Sequence, residues 1–408
     1  MQVNKKRLEE NLHRTGEIGR TPEGGYTRPG FSPEYKQAVR VLKSMMEEAG
    51  LTVTEDRIGN VIGRREGRYP EAPAIMTGSH LDTVVNGGLY DGNLGIIAAL
   101  ETVHMMNDGQ VVTDHPIEVV AFNAEEGSEM GGTFGSRVMT GRQDLNERGL
   151  EEKLAHYQLS VEDIKSSVRD MSHVKAFIEL HIEQGAYLAT EGYDIGVVDG
   201  IVGITRYQVR VLGESNHAGT TPMNLRKDPV TAAASLIGMI HEKALEYGHP
   251  FVATVGNIEV RPGMYNVIPS EVTLYLEMRD LSQARVEQFA KELEFSAKTE
   301  LSEVQVTFEL QVNKPSRMLS KPVMEAIEKA CAQEDGVSSV VMSSGAGHDS
   351  KELIYKVPTG MIFVPSVGGI SHSPKEYTTA EQIEKGVRIL YRTLLCLDRD
   401  RKTEENRV

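Results

Sequence analysis

Cysteine is almost missing from this 408-residue chain, which has only Cys331 and Cys396. Two cysteines cannot build a disulfide framework, and neither has the spacing of a metal-binding pair, so each is expected to be a reduced thiol with a structural role. No apolar run reaches the roughly 18 residues of a membrane span. The first residues, Met1-Gln2-Val3-Asn4-Lys5-Lys6-Arg7, lead into charged, helix-like sequence without an apolar signal core. The expectation is a cytoplasmic protein without a membrane partner. Basic residues are in deficit, 44 against 59 acidic ones, for a net charge of −15. That balance disfavours nucleic acid as a partner, and a small anionic substrate would need a local positive group. Internal repeats, low-complexity tracts and Gly/Ser linkers are also absent.

The chain is long enough for more than one domain, since single cores stop growing at roughly 250 to 300 residues. Up to about residue 200, strand-like runs (Ala72 to Thr77, Ile117 to Asn123, Ala176 to His181) alternate with helix-like ones such as Asn93 to Met106. This predicts an α/β domain with a mixed, largely parallel sheet flanked by helices. Near Ile204 the pattern changes to period-two alternation, with Tyr207, Val209 and Val211 on one face. A helix opening at Asp228-Pro229 and ending at Tyr247 follows, then strands Phe251 to Val260 and Val272 to Arg279. A helix from about Ser282 and a strand from Val304 to Leu310 complete the order β-α-β-β-α-β, the ferredoxin-like unit. From Pro322 the α/β character returns, with a helix through Ala330, a strand at Met361 to Val364 and a final helix from Ala380 to Leu397. The expected division is therefore residues 1–205 with 318–408 for the large domain, and 206–317 for an insertion.

Polar residues gather just after the predicted parallel strands, where sites in open α/β sheets form. His80 and Asp82 follow the first strand in Gly78-Ser79-His80-Leu81-Asp82. They suit a metal ligand with a supporting carboxylate, or equally a surface turn. Asp91, before the apolar helix, reads either as a helix N-cap or as a carboxylate shared by two cations. Glu125-Glu126 follows the second strand; such a pair can be merely solvated, or one member can ligate metal while the other takes a proton from the attacking water. His181 ends the third strand and His372 follows the last one. Each is ambiguous alone, but five oxygen or nitrogen donors after predicted strands are hard to ascribe to coincidence.

The set Ser79-His80-Leu81-Asp82, Asp91-Gly92, Glu125-Glu126-Gly127, His181-Ile182-Glu183-Gln184-Gly185 and Ile370-Ser371-His372-Ser373-Pro374 resembles the amidase, hydantoinase and carbamoylase branch of the M20 metallopeptidases. The resemblance implies two divalent metal ions, Mn2+ or Zn2+ with Co2+ or Ni2+ as alternatives. His80 and His181 would hold one and Glu126 and His372 the other, with Asp91 bridging. Glu125 would be the general base and Asp82 the support for His80. It also implies that the insertion is a lid and dimerisation domain, giving a homodimer. There His217, Asn266 and Arg279 would meet substrate, His217 polarising the scissile carbonyl and the other two gripping a carboxylate, while Gln184 and Gly369 add contacts from the large domain. Read without the resemblance, His217 and Asn266 suit turns and Arg279 suits a surface ion pair.

Within that branch, Gly213-Glu214-Ser215-Asn216-His217-Ala218-Gly219-Thr220-Thr221-Pro222 with Gly345-Ala346-Gly347-His348-Asp349 is similar to allantoate amidohydrolases. The expected substrate is a small anionic ureido or carbamoyl compound that releases ammonia. Allantoate comes first, N-carbamoyl-L-amino acids second and N-acyl amino acids third. After Glu126-Gly127-Ser128 the chain departs from the common Arg-aromatic continuation with Glu129, Met130, Gly131 and Gly132, so the pocket wall there is expected to differ. A non-catalytic binding relative would lack a ligand or the base, and none is missing.

Overall fold

The computed structural model describes residues 2–399. They divide into two compact units: the chain up to Asp199 with the part from Leu319 onward, and Gly200–Met318. The first boundary falls earlier than the sequence pattern suggests, because strand Gly203–Leu212 lies wholly in the second unit.

In the large unit four strands run parallel in the order Ile117–Phe122, Ala74–His80, Val174–Ile182 and Thr359–Val364. All four are buried along their whole length, which explains their continuous apolar character. Antiparallel strands extend both sides: Val61–Arg65 and Thr52–Glu55 beyond Ile117–Phe122, and Ile195–Ile201 beyond Thr359–Val364. These edge strands, and Ser339–Ser344 beside Ile195–Ile201, went unpredicted. Helix Asn93–Asp108 lies on strand Ala74–His80 and is covered in turn by helices Lys5–Gly16 and Ala380–Arg399. Enclosed in this way, it is apolar nearly all round.

The second unit is a four-stranded antiparallel sheet in the order Gln305–Lys314, Gly203–Leu212, Glu271–Asp280 and Val252–Arg261. With helices Pro229–Tyr247 and Gln283–Glu300 it has the β-α-β-β-α-β order read from the sequence. Tyr207, Val209 and Val211 share its core with Leu236, Leu274 and Phe289. Asp228 and Ser282 cap the two helices, accepting from the backbone N–H groups of Val230 and Arg285.

Candidate metal centre

Adjacent parallel strands carry His80 and His181 at their carboxyl ends, with ring centroids 5.8 Å apart. Asp91 stands between them, its Oδ1 lying 3.3 Å from the Nε2 atom of each. Its other oxygen, Oδ2, lies 3.4 Å from His372 Nε2, which is 3.3 Å from Glu126 Oε2. Two donor groups, His80-Asp91-His181 and Asp91-Glu126-His372, thus share one aspartate. Asp91 does not cap the helix that follows, whose N-cap is Gly92 without a side-chain bond. Gly92 has φ +65°, and a Cβ there would lie 2.4 Å from the His80 ring.

The donors fit divalent cations. Two ligands about 2.0–2.2 Å from a tetrahedral cation stand roughly 3.4 Å apart, close to the separations above. Asp91 Oδ1 is buried and faces only the Nε2 atoms of His80 and His181, with no other polar partner, a position a cation shared with those nitrogens can take. His80 Nδ1 and His181 Nδ1 lie 3.0 and 2.8 Å from the main-chain carbonyls of Asp82 and Ile182. A carbonyl can only accept, so each Nδ1 carries the proton and each Nε2 lone pair faces the Asp91 side, that of His181 also accepting the Gly92 N–H at 3.3 Å.

The charges tell the same story. Burial opposes protonation of His80, but the bond to Asp91 and the charges of Glu125, Asp82 and Glu126 hold its proton well above the usual histidine range. Bonds to Asp91 and Glu126 push His372 up to about 10. Burial would raise Asp91, yet the charge of His181 and the bonds of three histidines hold it well below the ordinary carboxylate range. This concentration of negative charge is compensated by protons on imidazoles, a place a cation can take.

Glu125 Oε2 lies 4.0 Å from His80 Nε2. Burial, with the charges of Glu126, Asp349 and Asp82, raises its carboxyl well above the usual range, against the pull of His80. A cation on the neighbouring donors acts in the opposite direction, so the group suits a base that gains and loses a proton.

Three of the expected site residues have partners within the protein. The Asp82 carboxylate accepts the backbone N–H groups of Glu125 at 3.1 Å and Glu126 at 3.0 Å, while its contact with His80 Nδ1 is 3.9 Å. Asp82 therefore supports His80 through its main-chain carbonyl and fixes the Glu125-Glu126 turn through its side chain. Gln184, expected at the substrate amide, donates Nε2–H to Asp91 Oδ2 at 2.7 Å. Arg279 pairs with Glu277, Nη2 to Oε1 at 2.7 Å. Gly369 closes a short 3-10 turn ahead of the His372 loop, with φ +67°.

Sequence reading missed the residues that hold the candidate donors in place. Glu376 Oε1 accepts the N–H groups of Tyr90 at 2.9 Å and Asp91 at 3.0 Å. Its Oε2 lies 2.9 Å from the Ser371 hydroxyl, which lies equally near Asp91 Oδ2. Glu376 thereby ties the Asp91 loop to the His372 loop. Glu179, which with His181 and His348 forms a third possible donor group, accepts instead from Ser79 Oγ and from the backbone and hydroxyl of Ser350. Its oxygens brace the strand end that bears His80. Buried Arg28 bonds the carbonyls of Leu81, Thr15 and Ile18, and so anchors the turn after His80. Nothing in spacing or strand position marks these residues.

The other candidates belong to the second unit. His217 is exposed on a short ribbon, paired with Val267. Its Nδ1 accepts from the backbone of Gly219 at 3.0 Å and Thr220 at 3.2 Å, which leaves Nε2–H as an outward donor. Asn266, exposed just before the ribbon's second strand, accepts the Ala218 N–H through its backbone carbonyl.

Residues 76–395 match the family described as peptidase family M20/M25/M40. The chain is 42% identical to an N-carbamoyl-L-amino acid amidohydrolase of Geobacillus stearothermophilus, over 95% of this chain and 97% of that protein. It is 36% identical to an allantoate amidohydrolase of Escherichia coli, over 94% and 95%. Among solved structures, an amidase of the hydantoinase/carbamoylase family from Burkholderia multivorans superposes with a TM-score of 0.87 at 32% identity, covering 98% of this chain and 99% of that one.

Proposed function

On the premise that the chain belongs to peptidase family M20/M25/M40, we propose that this C–N hydrolase removes the carbamoyl group of a small ureido carboxylate, using two divalent metal ions. The observation that carries the reading is Asp91, with one oxygen turned to His80 and His181 and the other to His372 beside Glu126. His80 and His181 would hold one ion, Glu126 and His372 the other, and Asp91 both. Bound cations there would supply a Lewis acid for the scissile carbonyl and lower the pKa of water toward neutrality. Donor chemistry accepts Mn2+, Zn2+, Co2+ or Ni2+.

Glu125 accepts the proton of the attacking water and returns it to the departing nitrogen. Asp82 keeps Glu125 and Glu126 in register through their N–H groups. His217 would offer Nε2–H to the carbonyl oxygen, and Asn266 and Arg279 would take the substrate carboxylate, Arg279 exchanging the Glu277 carboxylate for that of the substrate. The second unit would also carry the contacts of a homodimer. Water splits the ureido C–N bond, and the released carbamate decays to ammonia and carbon dioxide.

The N-carbamoyl-L-amino acids take first place as substrates, supported by the 42% identity to an amidohydrolase named for them. Allantoate, first on the sequence motifs, is the second reading, favoured by the Gly213 to Pro222 segment and by relatives at 36% and 35% identity. Ammonia release from N-carbamoyl-L-amino acids, their D-enantiomers, allantoate and N-acetyl amino acids, after loading with each metal in turn, tests the proposal. Turnover of the L-carbamoyl compounds well above allantoate is expected. Activity confined to N-acetyl amino acids would overturn it.

A further inference from the structure

The large unit contains a concave site whose lining includes none of the metal-donor residues, with a volume of about 350 Å³, within the range of small-molecule pockets. Its floor is apolar, formed by Phe31, Val39, Ile58 and Leu159, with Tyr157 stacked on Phe31 at a centroid distance of 4.5 Å. Lys36, Arg40, Lys43 and Arg57 line it, with Glu55 as the acidic residue among the lining groups. In a chain of net charge −15 this is a marked reversal.

Its arrangement is as telling as its composition. Lys36, Arg40 and Lys43 lie on helix Pro33–Glu48 at i, i+4 and i+7, so one face presents all three. Like charges so spaced repel, whereas other lysines of this protein meet glutamates at that spacing, as in Lys6–Glu10 and Lys298–Glu294. Lys43 pairs with Glu55 at 3.1 Å. Among the described residues, Lys36, Arg40 and Arg57 have no ion pair.

Arg57 comes from a separate, fixed wall. Asp56 accepts the N–H groups of Ile58 and Asn60 and the Asn60 side-chain amide, and the Tyr35 hydroxyl donates to the Gly59 carbonyl. Asn123, also in the lining, bonds Phe31 N and Ile58 O through its side chain. Apolar lining residues beside three exposed cations that make no ion pair suit a ligand with a flat apolar body and an anionic group.

We propose that this cavity binds a small organic anion with a planar apolar body, using Lys36, Arg40 and Arg57 for the anionic group and the Phe31–Ile58 floor for the rings. The inference is independent of which amide the metal cluster hydrolyses. The probe is 8-anilinonaphthalene-1-sulfonate, titrated by fluorescence into the full-length, metal-loaded protein. N-phenyl-1-naphthylamine, with the same rings and no charge, serves as the control.

Saturable binding of one sulfonate probe per chain is expected, weakened at least tenfold in Lys36→Glu/Arg40→Glu and in Arg57→Glu, and weakened by salt in the wild type. The neutral control should be insensitive to the charge reversals. All three side chains are exposed, and circular dichroism of each variant should match the wild type. Absence of saturable binding in the wild type overturns the proposal. So does equal binding by the charge-reversed variants, or equal affinity for the charged and neutral probes.

Discussion

Replacing Glu376 with alanine should open the clamp that holds Asp91 between its histidines. The substitution removes the acceptor of two N–H groups, those of Tyr90 and Asp91, and one partner of Ser371. Ser371 keeps its bond to Asp91 Oδ2, but the two N–H groups lose theirs. An orphaned buried donor costs about 1–3 kcal/mol, so the expected loss is on the order of 2–6 kcal/mol, toward the lower end where water enters the space. Glu376→Gln retains an acceptor for both N–H groups and should cost much less. Gly88→Ala attacks the same clamp from the opposite side, because its Cβ would lie 2.1 Å from Glu376 Oε1. Calorimetry of the metal-free variants reads the stability, and isothermal titration with Mn2+ reads the site. Supporting bonds of this kind typically govern metal affinity by roughly 10–100-fold, and a loss in that range is expected for Glu376→Ala and Gly88→Ala. An alanine variant with wild-type melting and wild-type metal affinity would refute the clamp.

Other perturbations separate the parts of the site. Glu125→Gln should keep metal binding, since the bonds to Asp82 are made by backbone N–H groups, while turnover falls by about 10²–10⁴-fold; near-normal turnover in an ammonia-release assay rules Glu125 out as the base. Arg28→Met removes the guanidinium donor from the carbonyls of Leu81, Ile18 and Thr15, the last of which keeps the Ile18 N–H. It should cost on the order of 3 kcal/mol or more, so an unchanged thermal midpoint counts against its anchoring role. Burial pushes the Cys331 thiol up to about 11. Because the thiolate is the reactive form and dominates only above that value, about a thousandth is ionised at pH 8. Native Cys331 should therefore resist iodoacetamide there and react once the protein is unfolded, with mass spectrometry of the labelled peptide as the readout.

The parallel strands were legible because burial on both faces leaves largely apolar runs, and the candidate donors His80, Glu126 and His181 because they stand at or just after the ends of such runs. Among the unpredicted strands, Thr52–Glu55 escaped notice for the complementary reason: it is short and largely exposed, so its sequence carries little apolar signal. Asp91 could be read either as a cap or as a ligand, and the fold excludes the cap by giving that position to Gly92. Glu376 and Glu179 were invisible because their partners are brought by other segments, Tyr90 and Asp91 to the first and Ser79 and Ser350 to the second. Backbone conformation was equally hidden. Ala124, Gln184 and His372 all have positive φ, an uncommon state for residues other than glycine that clusters at functional sites. The basic cavity combines a helical spacing, which sequence shows, with Arg57 and an apolar floor, which it does not.

The most direct test of the shared-aspartate centre is an anomalous-difference map from crystals of the Mn2+-loaded protein. Two peaks per chain are expected on either side of Asp91, roughly 3.5–4 Å apart as in other two-metal sites. One should lie against His80 and His181 and the other against Glu126 and His372. A single peak, or a peak on Glu179 and His348 in place of the Glu126–His372 side, would contradict it.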